Sequence, residues 1–130
     1  METNYDRSAV IARIKTALER RSGKRWSVTG GRGTAYGWLE INAPPARRTW
    51  SCRLKAGAVT DWPEDFEEFD SGTPGGNMSP NERKELANLL GLEHAAHCQG
   101  VSIPASYRHY QEYIDRAEGR PAVPTPAYWD

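Results

Sequence analysis

Within its N-terminal third, the chain changes from a helical to a strand spacing of apolar residues, and this change requires a fold with both kinds of element. Val10, Ile14 and Leu18 recur on one face of a helix, which predicts a helix over about residues 7–21. Residues 26–29 then alternate between apolar and polar side chains, as a half-buried strand does. We therefore predict an α+β fold.

The predicted sheet is short, mostly antiparallel and three-stranded. A glycine-rich turn at residues 30–33 joins the first strand to a second strand over residues 36–43. Pro44 ends the second strand, because proline cannot continue a ladder of hydrogen bonds. Residues 49–54 form the third predicted strand.

Further helices are predicted after the sheet. Residues 79–82 have the sequence of a helix N-terminus, and another helix covers about residues 106–118. With the first helix, and with residues 61–70 interpreted as a helix, three to four helices pack on the sheet. Residues 1–119 are assigned to a single α+β domain, and residues 120–130 to a proline-rich extended tail.

The composition favours a cytoplasmic protein with no membrane partner. No stretch approaches the roughly 20 apolar residues of a membrane helix, and the polar N-terminus has no apolar core of a signal peptide. The chain has only two cysteines, Cys52 and Cys98, which indicates a reducing compartment and no disulfide framework. A single bridge between these two cysteines stays open as an alternative.

The net charge of zero hides a strong asymmetry between the two halves of the chain. Residues 1–60 hold 12 Lys and Arg against 4 Asp and Glu, whereas residues 61–130 hold 5 against 13. Either the basic half meets an anionic partner such as nucleic acid, or the two halves neutralise each other in the folded domain.

The basic half contains a candidate interface for single-stranded nucleic acid. Trp38 lies on the outer face of its strand if Leu39 and Ile41 face the core, and an outward aromatic ring among cations can stack on a base. Alternatively, Trp26 only packs in the core, and the tail or a helix covers the outer face. The candidate residues are Lys24, Arg25, Arg32, Tyr36, Trp38, Arg47 and Arg48.

The acidic segment 61–70 is a second candidate site. It has six acids, no base and an aromatic stripe at the i, i+4, i+7 spacing of a helix. Such a helix could bind in the groove of a partner, imitate phosphate charge or cover the basic hairpin of its own chain. An ordinary surface helix with its stripe in the core is the plainer alternative. The candidate partner-binding residues are Trp62, Glu64, Phe66, Glu67, Glu68 and Phe69.

A third candidate is a zinc site formed by Cys52, His94, His97 and Cys98. The paired spacings of zinc motifs are absent, so these residues fit equally well in a loop that only packs. The nucleophile elbow of hydrolases and the motifs of zinc enzymes are absent from the sequence as well. We therefore expect a non-enzymatic protein without a cofactor, although a catalytic site assembled by the fold would leave no motif.

Residues 8–43 combine the first helix with the runs Trp26-Ser27-Val28 and Tyr36-Gly37-Trp38-Leu39-Glu40-Ile41. This pattern resembles small domains associated with large polyvalent proteins of phages and conjugative elements. The resemblance implies an accessory protein of a mobile element that handles nucleic acid or blocks host defences, and it assigns no functional residue.

The sequence thus predicts a non-enzymatic nucleic-acid-binding accessory protein. The alternatives are a protein-interaction module or inhibitor that acts through residues 61–70, and a small zinc-containing protein.

Overall fold

The computed structural model describes residues 6–33, 37–93 and 95–126, which have an α+β architecture. This part of the chain has three helices and five strands. The helices are α1 (Arg7–Ser22), α2 (Pro80–Leu90) and α3 (Tyr107–Glu118). The strands are β1 (Ser27–Gly30), β2 (Trp38–Asn42), β3 (Trp50–Leu54), β4 (Phe66–Asp70) and β5 (Val101–Pro104).

Helix α1 forms where the apolar spacing predicts it. The Asp6 side chain accepts a hydrogen bond from the backbone N–H of Ser8 at 3.3 Å and caps the first turn. Gly23 ends the helix with a φ of 75°, a left-handed conformation that glycine adopts without steric strain. The face that contains Ile14 and Leu18 is fully buried, which confirms this helix.

The main sheet has the strand order β1-β2-β5, and both pairs are antiparallel. Val28 lies opposite Ile41, and Leu39 lies opposite Ile103, so these four apolar side chains share one face of the sheet. All four are buried, and α1 packs against both β1 and α3. The other face of the sheet exposes Trp38.

The prediction that residues 49–54 complete this sheet is wrong. Strand β3 forms there, but a short 3-10 turn at Pro45–Arg47 turns the chain away from β2, and β3 pairs with β4 in a separate two-stranded sheet. The third strand of the main sheet is β5. Its alternate residues Val101 and Ile103 face the core. These side chains gain burial there, which favours the pairing of β5 with β2.

The helix predicted over residues 61–70 is also wrong, and with it the fourth helix. Residues Pro63–Asp65 form a 3-10 turn, and Phe66–Asp70 is strand β4. A helix would place the acids of this segment three and four residues apart on one surface, where like charges repel. In the strand, Glu67 lies opposite Arg53 and Phe66 lies opposite Leu54, so the pairing gains charge and apolar contacts.

The core lies between the main sheet and the three helices. Trp26, Met78, Leu86, Leu90 and Ile114 are among its fully buried side chains. Helix α2 is capped by Ser79 as its sequence predicts.

After α3, residues 120–126 run back along the surface of that helix. The N–H of Thr125 donates to Glu112 at 2.6 Å, and the Thr125 hydroxyl donates to the carbonyl of Arg108 at 3.3 Å. Among the described residues, no helix combines the length and apolar character that crossing a membrane requires.

Candidate functional site

The two-stranded sheet forms an arm, defined here as residues 50–70, and backbone hydrogen bonds join its base to the domain. The N–H of Ser71 donates to the carbonyl of Thr49 at 2.8 Å and closes the base of the hairpin. Trp50 and Asn77 exchange backbone hydrogen bonds, and the N–H of Gly76 donates to the carbonyl of Arg48. Backbone bonds therefore fix the base of the arm.

The far end of the arm, residues 54–66, is called the arm tip, and hydrogen bonds hold its loop in shape. The N–H of Lys55 donates to the carbonyl of Asp65 at 2.6 Å, and the N–H of Asp65 donates to the carbonyl of Trp62 at 2.8 Å. The N–H of Ala58 donates to the carbonyl of Lys55 at 3.0 Å. The hydroxyl of Thr60 donates to the Asp65 carboxylate.

Large apolar side chains are exposed at the arm tip. Leu54 and Phe66, which are cross-strand partners, are 44% and 39% exposed. Trp62 is 65% exposed and Val59 is 95% exposed. Several exposed apolar side chains on one loop and its flanking strand ends are typical of an interaction surface.

The structure divides the predicted partner-binding residues into two groups. Trp62, Glu64 and Phe66 lie exposed at the arm tip. Glu67 instead pairs with Arg53 at 2.8 Å, and the same guanidinium lies 4.6 Å from the centre of the Phe69 ring. These contacts stabilise the arm itself.

Glu68, the remaining predicted partner-binding residue, ties the arm to α2. Arg83 donates two parallel hydrogen bonds to its carboxylate, one of them at 2.9 Å. No sequence pattern indicates this contact, because an arginine on a helix surface usually faces water. Glu68 is therefore paired with a residue of its own domain, although it remains exposed.

The predicted phosphate-binding residues Lys24 and Arg47 are engaged with acids of α2. Lys24 Nζ lies 2.9 Å from a carboxylate oxygen of Glu82 and 3.0 Å from one of Glu85, and Arg47 lies 3.5 Å from the other oxygen of Glu82. Burial opposes the charge on Lys24, but its hydrogen bonds to the two glutamates outweigh burial and raise the pKa of the ammonium group. Acids of the C-terminal half thus neutralise these cations.

Trp38 lies apart from that cluster. It begins β2 at the turn end of the hairpin, where its carbonyl accepts a hydrogen bond from the N–H of Gly31. Lys24 and Arg25 lie beyond the opposite end of β1, about 13 Å or more along the strand at ~3.3 Å per residue. The ring of Trp38 is 48% exposed on the outer face of the main sheet, as the alternation predicts.

The other predicted nucleic-acid residues are scattered. Arg32 is exposed in the turn that follows β1, and Arg48 is half-buried at the base of the arm. The Arg25 side chain is 86% exposed, with Glu19 at 3.7 Å. Tyr36, the second predicted stacking residue, lies outside the described residues.

The predicted zinc ligands are only partly brought together. The Sγ atoms of Cys52 and Cys98 lie 3.7 Å apart, and the Glu68 carboxylate joins them in a group of donor atoms within 4.8 Å of one another. His97 is not in this group, and His94 lies outside the described residues. Partial burial and the hydrogen bond to Cys98 raise the pKa of the Cys52 thiol.

A buried serine–histidine contact is the strongest feature that the sequence did not reveal. Ser106 precedes α3, and its hydroxyl lies 2.5 Å from Nδ1 of His109, which is 8% exposed. The spacing of three residues is that of a helix cap and the residue that folds back to it. We assign this pair to the start of α3, because so little of the histidine is open to a substrate.

Comparison with protein-family models, with curated proteins and with solved structures found no match to this chain.

Proposed function

We propose that this chain is a non-enzymatic binding protein that captures a protein partner through the arm tip. The observation that carries the proposal is the exposure of four large apolar side chains on one hydrogen-bonded loop and its flanking strands. Such side chains gain free energy when a partner removes them from water, at roughly 25 cal/mol per Å² of apolar surface. Tryptophan is a frequent anchor of interfaces, and Trp62 is the natural anchor here.

The charges of the arm tip indicate which kind of partner surface would complement it. Asp61 and Glu64 are exposed beside Trp62, and Lys55 is the one cation of the arm tip. Together with Asp65, which is held within the loop, the acids outnumber the base. A groove with an apolar floor and a rim of lysine or arginine complements this surface.

Replacing Trp62 by alanine is expected to weaken partner binding about tenfold or more, because an interface anchor loses its buried ring. A photo-reactive amino acid at Val59 identifies the partner by crosslinking in an extract of the source cells. The purified partner is then titrated against the wild type and Trp62→Ala. Tyr107→Ala is the matched control, since Tyr107 is a 72% exposed aromatic residue on α3.

Equal affinity of the wild type and Trp62→Ala for the purified partner would contradict the proposal. So would a loss of affinity that is as large for Tyr107→Ala.

Nucleic-acid binding is a second candidate function, and the exposed ring of Trp38 is the observation that favours it. Arg32 and Arg25 are exposed on the same hairpin and supply charge for phosphate. Glu40 is exposed on the same face of β2, and its carboxylate opposes a polyanion. The resemblance to small domains of polyvalent proteins stays a prediction, and it adds a mobile-element setting to either function.

If Trp38 stacks on a base, Trp38→Ala is expected to weaken binding of a labelled single strand of about 20 nucleotides by roughly tenfold. The affinity of the wild type is expected to fall as salt rises, because bound phosphates release counterions. Fluorescence anisotropy at two salt concentrations measures both effects, with Trp62→Ala as the control. Absence of binding at low salt would remove this candidate.

A further inference from the structure

The two cysteines of the chain meet where the arm lies against the domain. Cys52 is the central residue of β3, and Cys98 is in the loop that leads into β5. Their Sγ atoms are 3.7 Å apart, although 46 positions separate the residues in the sequence. Both thiols are free in this structure.

The geometry allows a bond between these two sulfur atoms. A disulfide has an S–S distance of about 2.05 Å, so the sulfur atoms must approach by less than about 2 Å. Cys52 is exposed on a two-stranded arm, where side-chain rotation and a small movement of the arm can supply this approach. The exposure also gives a small oxidant access to the pair.

The surroundings favour oxidation over metal binding. The donor set of two thiols and one carboxylate in the described residues is one short of the four ligands of a structural zinc site. Its carboxylate, Glu68, is already bound by two hydrogen bonds from Arg83. Burial and Cys98 raise the pKa of the Cys52 thiol, the Arg83 guanidinium partly offsets this rise, and its positive charge repels a metal cation.

We propose that Cys52 and Cys98 form a reversible disulfide that locks the arm onto the domain, with a low-molecular-weight disulfide such as oxidised glutathione as the oxidant. One cysteine thiolate attacks a sulfur atom of glutathione disulfide, forms a mixed disulfide and releases one glutathione. The second cysteine thiolate attacks the protein sulfur of that mixed disulfide and releases the other glutathione. The protein loses two electrons and two protons, and both end on the two glutathione molecules.

The bond would change the mobility of the arm. In the reduced protein, the Glu68–Arg83 pair and the backbone bonds at the base hold the arm, and in the oxidised protein a covalent link is added at mid-strand. A crosslink between Cys52 and Cys98 also lowers the conformational entropy of the unfolded chain. Oxidation is therefore a device for fixing the orientation of the arm tip.

The test uses the full chain, reduced, freed of reductant and then incubated with oxidised glutathione. The expected product has lost the mass of two hydrogen atoms, has no alkylatable thiol after denaturation, and yields a peptide that links Cys52 to Cys98. Its melting temperature is expected to rise by about 5 °C or more, and dithiothreitol is expected to reverse the shift.

The variants Cys52→Ser and Cys98→Ser are the matched controls, and each is expected to stop at the mixed disulfide with one glutathione per chain. A wild type that also stops there, or that forms only disulfide-linked dimers, would overturn the proposal. So would a reduced wild type that holds one zinc ion per chain and thereby resists oxidation, because the pair would then be a metal site. These readouts are covalent and do not depend on partner binding.

Discussion

Replacing Trp26 by alanine is expected to lower the free energy of unfolding by about 3–5 kcal/mol, the range for loss of a large aromatic side chain from a core. Trp26 is 0% exposed, so its removal leaves a cavity that rigid neighbours fill only in part. The indole N–H also donates to the Ser22 hydroxyl at 2.9 Å, which links the core to the last turn of α1. Lys24 Nζ lies 5.6 Å from the centre of the ring and adds a cation–π contact.

Urea unfolding followed by circular dichroism measures this loss. Trp38→Ala is the matched control, since it removes the same side chain from a site that is 48% exposed, and it is expected to cost less than about 1 kcal/mol. A comparable loss of unfolding free energy in the two variants would show that Trp26 stabilises the core no more than an exposed tryptophan does.

Local elements could be predicted from the sequence because their signals are local. The apolar spacing of α1 and the Ser79 cap of α2 each lie within a few residues, and the structure confirms both. The choice of strand partners depends on contacts between distant parts of the chain. Strand β5 is only four residues long and lies 59 positions after the end of β2, so no local pattern indicated that the two pair.

The acidic segment misleads sequence analysis because the spacing of its aromatic residues fits a helix, whereas its charges do not. Six acids in ten residues disfavour a helix, and Arg53 on the neighbouring strand offers Glu67 a partner. The sequence groups Trp62, Phe66 and Phe69 in one helical stripe. The structure exposes Trp62 and Phe66, and a turn and a strand present them in place of a helix.

The candidate sites are even harder to predict from sequence than the strand partners, because each site combines residues that are distant in the chain. The opposite charges of the two halves meet in several ion pairs, including Lys24–Glu82 and Arg13–Glu118, so a surplus of cations in sequence is not a surplus on the surface. The thiol pair follows from the position of the arm, which the sequence did not reveal. Of the predicted basic surface in the described parts of the chain, Arg25, Arg32, Trp38 and Arg47 are exposed, and Arg47 is paired with Glu82.

Replacing Gly100 by alanine is expected to destabilise the domain by about 3 kcal/mol or more, because two separate costs add. Gly100 has a φ of 101°, which an L-residue with a Cβ rarely adopts. A Cβ built there would also lie 2.4 Å from the carbonyl oxygen of Ile41. That oxygen belongs to the backbone of β2, so relief of the clash must move β5 away from the sheet.

Gly57→Ala separates the two costs of that substitution. Gly57 has a comparable φ of 84°, but a Cβ there meets no atom within 4 Å, so only the conformational strain of about 1–2 kcal/mol applies. Thermal and urea unfolding of both variants give the difference, which isolates the clash between Gly100 and Ile41. An equal loss of unfolding free energy in the two variants would mean that β2 moves away from the new Cβ at little cost. The close approach of Gly100 to β2 would then contribute little to holding β5 in the sheet.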